Sequence, residues 1–177
     1  IKHHNVKVTG LTISKAQHEF TKKRLFEAGL SERAKVLLTD YRNQKGQFDG
    51  IASIEMFEAV GEKYWPVYFN SLKNLMKNGA KSTLQIITIA DEIFPEYRKR
   101  VDFIQKYIFP GGMLPSKKAL EKQFLQVGLK SINLKSFGSS YSKTLRLWHS
   151  SFNSVWDDIA SVKFDDRFKR MWNFYLA

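Results

Sequence analysis

The chain has 177 residues, 43% of them hydrophobic, which suits one domain with a sizeable core and argues against a disordered segment. Its 29 Lys and Arg against 17 Asp and Glu give a net charge of +12, so the expected partner is anionic, either a nucleic acid or an acidic membrane surface. The chain has no Cys and therefore no disulfide, which suits a cytosolic protein. No apolar run reaches the ~18 residues of a membrane-spanning helix and no signal-peptide pattern is found, so any membrane contact is expected to be peripheral.

Predicted strands and helices alternate through the first half of the chain. Ser14, with Gln17 three residues later, has the pattern of an N-cap and capping box for a helix that ends at Gly29. A second helix is predicted from Glu62 to Asn78, where Gly79 stops it. Short apolar segments predict four strands, over residues 6–11, 35–38, 48–54 and 82–89. This β-α-β order implies right-handed crossovers and a doubly wound, mostly parallel sheet of the α/β class.

The second half of the chain begins with a segment that breaks this alternation. Residues 91–115 mix aromatic and basic side chains, and we expect them to form a helical insertion that caps the crevice of the sheet. The turn Pro110-Gly111-Gly112 lies near its end. Ser116 is then predicted to cap a helix that ends near Gly128, and a further strand is predicted over Lys130 to Phe137.

The tail is predicted to be helical, with one aromatic stripe on each helix. Aromatic residues repeat every four positions, at Trp148, Phe152 and Trp156 and again at Phe164, Phe168 and Trp172. Packing on the body of the domain is a more frequent reason for such stripes than insertion into a membrane. We therefore expect both stripes to be part of the packed domain.

A carboxylate follows the third predicted strand at once. The motif Met56-Phe57-Glu58-Ala59-Val60-Gly61 comes directly after the apolar segment 48–54 and places Glu58 at the carboxyl end of a strand. In open α/β sheets, ligands bind in the crevice outside these strand ends. A solvated acid in a loop is the other explanation for such a residue. Position alone leaves both explanations open.

Four segments of the chain, in this order, resemble the cyclopropane-fatty-acyl-phospholipid synthase family, which includes the mycolic acid cyclopropane synthases. They are residues 9–17, the Glu58 motif, residues 108–116 and residues 140–145. The resemblance covers nearly the whole chain. It implies one S-adenosylmethionine-dependent methyltransferase domain over residues 1–177, of the class I, Rossmann-like type. The first βα unit of that fold, with its glycine-rich turn, is expected to be missing, so we expect a C-terminal portion that is inactive by itself.

The resemblance also implies a reaction. S-adenosylmethionine would alkylate the cis double bond of an unsaturated phospholipid acyl chain, and a bicarbonate ion would accept the proton lost as the cyclopropane ring closes. By their match to the family, Glu58 and the backbone of Ile87 would help to bind the bicarbonate, and Tyr141 would be the site tyrosine. Gln85 lies where many members have His, and Gln can donate a hydrogen bond but cannot relay a proton. Phe109 matches an aromatic residue that would shelter a carbocation, although ordinary packing explains it equally well.

The same resemblance assigns residues to the adenosine part of the cofactor. Thr12, Ile13 and Gln17 match positions that contact ribose and adenine. Asp40 and Tyr41 follow the strand predicted at residues 35–38, at the edge that usually borders adenine. The four His residues have no metal-ligand spacing, so no metal is expected.

Two other functions remain open at this point. One is a relative that methylates a lipid without closing the ring, and the other is a catalytically silent module that binds lipid or nucleic acid. A methyltransferase of nucleic-acid amino groups is not favoured, because these enzymes typically have Asn or Asp followed by Pro-Pro and an aromatic residue where this chain has Met56-Phe57-Glu58-Ala59. We therefore expect a cytoplasmic protein that contacts the anionic inner membrane surface peripherally and does not bind nucleic acid. A homodimer is left open.

Overall fold

The computed structural model describes residues 1–160 and 164–177, in which parallel strands alternate with helices in an α/β arrangement. The strands are β1 (Val8–Thr12), β2 (Ala34–Leu38), β3 (Phe48–Ile54) and β4 (Met76–Gln85). The α-helices are α1 (Lys15–Glu27), α2 (Trp65–Leu75), α3 (Phe94–Tyr97), α4 (Lys117–Gln126), α5 (Gly138–Ser154), α6 (Trp156–Ala160) and α7 (Asp166–Leu176). Short 3₁₀ turns lie at Tyr41–Asn43, Phe57–Ala59 and Glu62–Tyr64, and a π-helical turn lies at Ile104–Ile108.

The strands form two separate parallel pairs. β1 pairs with β2, so that Thr12 lies opposite Leu38, and β3 pairs with β4, so that Ile54 lies opposite Gln85. The predicted parallel pairing is therefore confirmed, but the single doubly wound sheet is not observed. Each sheet has two strands, and no strand among the described residues pairs with the second edge of β1 or β3.

The boundary between α2 and β4 differs from the prediction. Helical spacing of apolar residues continues to Met76, so the sequence predicts a helix as far as Asn78 and a strand from residue 82. The helix instead ends at Leu75, and Met76 pairs with Phe48 of β3. The register then shifts, and the extra residues form an irregularity in which Gly79 has a φ of +77°. Gly79 thus permits a left-handed bend inside a strand rather than stopping a helix.

The hydrophobic core lies between α2, α4 and the 3₁₀ turn that follows β3. Phe57 and Phe69 are fully buried, with ring centroids 5.2 Å apart, and the ring of Phe69 is 5.1 Å from that of Phe124 in α4. Buried Trp65 donates from Nε1 to the carbonyl oxygen of Val60 at 2.9 Å, so its polar atom is satisfied. The core therefore fixes the turn that carries Glu58, one residue after Phe57.

Residues 130–137 do not form the predicted strand. They have no regular secondary structure and all of them are exposed. Ile132 and Leu134 alternate with polar residues as in a strand, but a strand is stable only where a neighbouring strand supplies backbone hydrogen bonds, and no described strand pairs with this segment. The helix predicted before it is confirmed, because Ser116 Oγ accepts from the Ala119 amide at 3.3 Å and α4 ends at Gln126.

The two aromatic stripes of the tail pack mainly on each other. The ring of Phe152 in α5 is 6.3 Å from Phe168 and 6.4 Å from Trp172, both in α7. The far end of α7 contacts the segment expected to form the cap, because the rings of Phe174 and Phe103 are 4.8 Å apart. Packing thus accounts for the stripes, and it brings the end of α7 beside residues 91–115. No described helix is long and apolar enough to span a membrane.

Candidate functional site

The carboxyl ends of β3 and β4 bring two glutamates and one glutamine together. Since Ile54 pairs with Gln85, the next residue, Glu55, lies at the same edge of the sheet. Gln85 Nε2 donates to Glu55 Oε1 at 2.8 Å, and the Glu55 amide donates to the Gln85 carbonyl oxygen at 2.9 Å. The chain then enters the 3₁₀ turn Phe57–Ala59, which directs Glu58 back over this edge.

The two carboxylate oxygens of Glu58 have different surroundings. Oε1 accepts a hydrogen bond from the backbone amide of Ile87 at 2.5 Å. Oε2 is buried and has no hydrogen-bond partner in the part of the chain that the structure describes. Buried polar atoms are nearly always paired, and an unpaired one costs about 1–3 kcal/mol. This oxygen is therefore suited to accept a hydrogen bond from a ligand. The backbone amide of Ile87 is bonded to Glu58 Oε1, so Ile87 positions the Glu58 carboxylate.

A glycine turn connects Glu58 to the segment that precedes α4. The Met113 amide donates to the Glu58 carbonyl oxygen at 2.8 Å, and the Gly112 amide donates to the Phe109 carbonyl oxygen at 2.9 Å. A Cβ on Gly112 would lie 3.0 Å from that same Phe109 oxygen and 3.5 Å from the Glu58 oxygen. Only Gly fits this approach without displacing its neighbours. The turn thereby places Phe109 beside the backbone of Glu58.

Two phenols lie beside the carboxylates. Partial burial raises the pKa of Tyr141, at the first turn of α5, and the charges of Glu55, Tyr175 and Glu58 raise it further in that order. Burial also raises the pKa of Tyr175 in α7, followed by the charge of Glu55. Both hydroxyls therefore remain protonated at neutral pH and are available as hydrogen-bond donors. The ring of Tyr175 is 6.0 Å from that of Phe109.

A second group of polar residues lies at the carboxyl ends of β1 and β2. The Thr12 hydroxyl donates to Gln17 Oε1 at 2.8 Å and accepts from the Ser14 amide at 3.1 Å. The Thr39 amide donates to the Thr12 carbonyl oxygen at 2.9 Å, which joins the two strand ends. Thr12 and Gln17 are thus brought together, while the side chain of Ile13 is 79% exposed.

Asp40 and Tyr41 lie at the same edge, but their side chains have partners within the chain. Arg42 donates to Asp40 Oδ1 from its amide and from Nε, each at 2.9 Å, and to Oδ2 from Nη2 at 2.6 Å. These bonds from Arg42 hold the pKa of Asp40 below its usual value. The ring of Tyr41 packs edge-on against Tyr68 at 5.5 Å. A ligand hydroxyl would therefore share Asp40 with Arg42.

The chain matches one protein family over its full length. The family model described as mycolic acid cyclopropane synthetase matches residues 1–177. The chain belongs to this family. Tuberculostearic acid methyltransferase UfaA1 of Mycobacterium tuberculosis is 39% identical over 171 residues, which cover 96% of this chain and 40% of that protein. Cyclopropane-fatty-acyl-phospholipid synthase of Escherichia coli is 36% identical over 175 residues, which cover 98% of this chain and 43% of that protein. The chain thus spans about two fifths of the length of these curated relatives.

Solved structures of mycolic acid cyclopropane synthases have the same fold. The cyclopropane synthase MmaA2 from Mycobacterium tuberculosis superposes with a TM-score of 0.87 at 23% identity, covering 99% of this chain and 65% of that one. CmaA1 complexed with SAH and CTAB also gives a TM-score of 0.87, at 24% identity, covering 99% of this chain and 64% of that one. The predicted family is confirmed, and with it the predicted methyltransferase class of fold.

Within this family fold, the structure groups most of the residues expected from sequence. Glu58, Gln85, Ile87 and Tyr141 lie around one strand edge, with Phe109 connected to Glu58 through the glycine turn. Sequence reasoning missed Glu55 and Tyr175. The tail pattern contained a signal for Tyr175, because it lies three residues after Trp172 and their rings are 5.2 Å apart. No group of three or more His, Cys, Asp or Glu side chains suited to a metal ion occurs among the described residues.

Proposed function

We propose that the protein uses S-adenosylmethionine to alkylate the cis double bond of unsaturated phospholipid acyl chains and to close a cyclopropane ring. The observation that carries this proposal is the buried, unpaired Oε2 of Glu58 beside the protonated phenol of Tyr141, in a chain of the mycolic acid cyclopropane synthetase family. The names of two relatives support the substrate class, because one is a cyclopropane-fatty-acyl-phospholipid synthase and the other a methyltransferase of tuberculostearic acid.

The adenosine end of the cofactor would be held at the carboxyl ends of β1 and β2. Thr12 and Gln17 form a hydrogen-bonded pair there, and both carry atoms suited to ribose and adenine. Asp40 follows β2, the neighbouring strand, and its carboxylate accepts hydrogen bonds from Arg42. When bound, S-adenosylmethionine supplies an electrophilic methyl group. The residues around β1 and β2 then serve to orient it toward the edge of β3 and β4.

A bicarbonate ion fits the polar groups at Glu58. Its hydroxyl can donate to the unpaired Oε2, which has no other donor among the described residues, and its oxygens can accept from the phenol of Tyr141. The Ile87 amide keeps Glu58 in place from the other side. Gln85, bonded to Glu55, can orient a neighbour through its amide but cannot take up a proton. The proton acceptor would therefore be the bound ion, held by Glu58 and Tyr141.

The acyl chain must become cationic during ring closure, and aromatic faces shelter such a charge. The rings of Phe109 and Tyr175 meet edge to face, with their centroids 6.0 Å apart. Their quadrupoles attract a cation within about 6 Å of the ring. These rings would border the reacting carbons and exclude water from them, which prevents capture of the cation by hydroxide.

A second candidate, methylation without ring closure, is favoured by one observation. Gln85 lies where many members of the family have His, so this site has one proton-accepting side chain fewer. The relative named as a tuberculostearic acid methyltransferase is also 39% identical to this chain. The same cation would then lose a proton from another position and leave a branched chain.

Product analysis distinguishes these candidates. The protein is purified at the full length of its gene product and incubated with S-adenosylmethionine and vesicles of an unsaturated phospholipid, and the fatty acids released from the lipid are studied by proton NMR. Ring closure gives high-field cyclopropane protons, whereas branching without closure gives the vinyl protons of a methylene branch or the methyl signal of a branched alkene. Binding of the cofactor without any change in the lipid would contradict both candidates and favour a catalytically silent module.

We further propose that the protein works in the cytoplasm at the anionic surface of the inner membrane. The net charge of +12 supports this location, because basic residues near an anionic surface are each attracted by about 1 kcal/mol. An acidic lipid surface is favoured over nucleic acid as the anionic partner for two reasons. The chain belongs to the mycolic acid cyclopropane synthetase family, and the motif Met56-Phe57-Glu58-Ala59 after β3 differs from that of methyltransferases that act on amino groups of nucleic acids.

A further inference from the structure

One residue at the site has a backbone conformation that its side chain disfavours. Glu55 has a φ of +48°, and it is the single non-glycine residue with a positive φ in residues 1–160 and 164–177. This left-handed region is sterically unfavourable for a residue with a Cβ and is usually occupied by Gly. Such strain persists only where the surroundings maintain it, and it is concentrated at functional sites.

Two hydrogen bonds to one partner hold Glu55. Its amide donates to the Gln85 carbonyl oxygen at 2.9 Å, which continues the pairing of β3 with β4. Its Oε1 accepts from Gln85 Nε2 at 2.8 Å, which fixes the carboxylate. A glycine would keep the first bond and remove the strain. The side chain is therefore not needed for the chain to turn at this position.

The carboxylate of Glu55 lies close enough to the two phenols of the site for its charge to act on them. Its charge raises the pKa of Tyr141 and of Tyr175, in both cases second to burial. Glu58 follows three residues later and has one oxygen bonded to the Ile87 amide. Of the Glu55 oxygens, only Oε1 accepts a hydrogen bond within the described ranges, and the residue is exposed, so Oε2 is free to meet a ligand. The carboxylates of Glu55 and Glu58 thus act on the same phenol, that of Tyr141.

We propose that Glu55 is a second carboxylate of the site, whose fixed negative charge stabilises the positive charge that develops on the acyl chain. A charge held in place before the reaction needs no reorganisation when the cation forms, which is the condition for a large electrostatic effect. The strained backbone of Glu55 is then explained, because Gly in the same place would supply no charge. The proposal deepens the proposed function and depends on it for the identity of the cation.

Two substitutions of Glu55 and one matched control test this role. Glu55→Gln keeps the shape and the bond to Gln85 but removes the charge, and it should lower kcat by roughly 10²-fold, with KM for lipid and the melting temperature unchanged. Glu55→Gly should lower kcat similarly without lowering the melting temperature, because relief of the left-handed strain offsets the added freedom of the unfolded chain. Glu121→Gly, at an exposed position within α4, should lower the melting temperature by several degrees and leave kcat unchanged.

The outcomes separate Glu55 from the proposed function. A parental kcat in Glu55→Gln overturns the proposal, and so does a melting temperature that falls as far in Glu55→Gly as in Glu121→Gly. A second test, titration of the phenol absorbance, needs no lipid. Tyr141→Phe is introduced both into the parent and into Glu55→Gln, and the difference between the titration curves with and without it isolates the Tyr141 phenol. The pKa of this phenol should be lower in Glu55→Gln than in the parent. An unchanged value overturns the placement of Glu55, whereas a lowered value in a protein that does not alkylate lipid supports the placement and contradicts the proposed function alone.

Discussion

The backbone amide of Ile87 donates to Glu58 Oε1 at 2.5 Å, across the carboxyl ends of β3 and β4. The carbonyl oxygen of Glu58 meanwhile accepts from the Met113 amide at 2.8 Å. Glu58 is therefore held at both its side chain and its backbone, by two segments that are distant in sequence. Among the described residues, the one buried side-chain nitrogen or oxygen atom without a hydrogen-bond partner is Oε2 of Glu58. A carboxylate fixed in this way is prepared for one ligand at one oxygen.

Glu58→Gln should abolish most of the alkylation of lipid. The Gln oxygen can replace Oε1 as acceptor for the Ile87 amide, so the NH₂ group would then occupy the place of Oε2 and present a donor where an acceptor is required. The site would then no longer hold the bicarbonate ion, and loss of a positioned proton acceptor lowers the rate by ~10²- to 10⁴-fold. The rate is measured with labelled S-adenosylmethionine and vesicles of an unsaturated phospholipid.

Glu96→Gln is the control for this change, since Glu96 is exposed and pairs with Lys99 at 2.7 Å outside the site. It should alkylate lipid at the parental rate. A parental rate in Glu58→Gln as well would show that the unpaired oxygen has no part in the reaction.

The local elements of the fold were predictable where a side chain forms a hydrogen bond with the backbone a few residues away. Ser14 and Ser116 cap their helices as predicted, and β3 has the predicted bounds of residues 48–54. The errors arise where a distant partner decides the outcome. Met76 continues a helical pattern, but its pairing with Phe48 places it in β4. Residues 130–137 have strand-forming side chains and no described strand to pair with.

The site was predictable to the extent that strand ends determine it. Glu58, Gln85 and Ile87 follow two neighbouring parallel strands, and the carboxyl ends of such strands meet at one edge. Tyr175 could not be placed in this way, because its position depends on the packing of α7 against residues 91–115. Glu55 could not be singled out either, since its left-handed backbone is a property of the folded chain.

Tyr141→Phe should slow turnover more than it weakens cofactor binding, because the ring remains and only the hydroxyl is lost. Removal of one aligned donor lowers the rate by roughly 10²-fold. Since the pKa of Tyr141 is raised above its ordinary value of 10.0, the phenol is protonated at neutral pH and ionises only above about pH 10. The parental rate should therefore lose the Tyr141 contribution above that pH, while Tyr141→Phe has no corresponding loss.

A pH–rate profile of both proteins between neutral and alkaline pH measures this difference. Tyr64→Phe, at an exposed tyrosine next to α2, should retain the parental profile. If Tyr141→Phe has the same alkaline limb as the parent, another group causes it.

Gly112→Ala should disturb both stability and turnover. The new Cβ would lie 3.0 Å from the Phe109 carbonyl oxygen, a backbone atom that cannot move aside as a flexible side chain can. Overpacking of this kind costs about 1–3 kcal/mol. The displacement would also alter the bond from Met113 to Glu58, so turnover should fall. Urea unfolding gives the change in stability, and the lipid assay gives the change in rate.

Gly138→Ala is the matched control, because a Cβ at Gly138 meets no atom within 4 Å and the residue begins α5. It should be neutral or stabilise the protein by roughly 0.4–1 kcal/mol. Equal effects of the two alanines would show that the contact of Gly112 with Phe109 is unimportant.

Attraction to an anionic membrane should depend on unpaired basic residues. The cluster Arg98, Lys99 and Arg100 precedes the π-helical turn, but Arg98 pairs with Glu62 and Lys99 pairs with Glu96 at 2.7 Å. Arg100 makes no ion pair within the described residues, so its charge is the one in this cluster that remains uncompensated. The charge of the whole chain, +12, exceeds what this cluster contributes.

Co-sedimentation with vesicles at low ionic strength should accordingly favour acidic over zwitterionic lipid, and added salt should weaken the binding because it screens exposed charges beyond about 10 Å at 0.1 M. Arg100→Gln should reduce binding to acidic vesicles by up to about fivefold, which corresponds to about 1 kcal/mol for one basic residue near an anionic surface. Arg100→Lys keeps the positive charge and is the matched control, which should bind acidic vesicles as the parent does. Equal binding to both kinds of vesicle, unchanged by salt, would contradict an electrostatic attraction to the membrane.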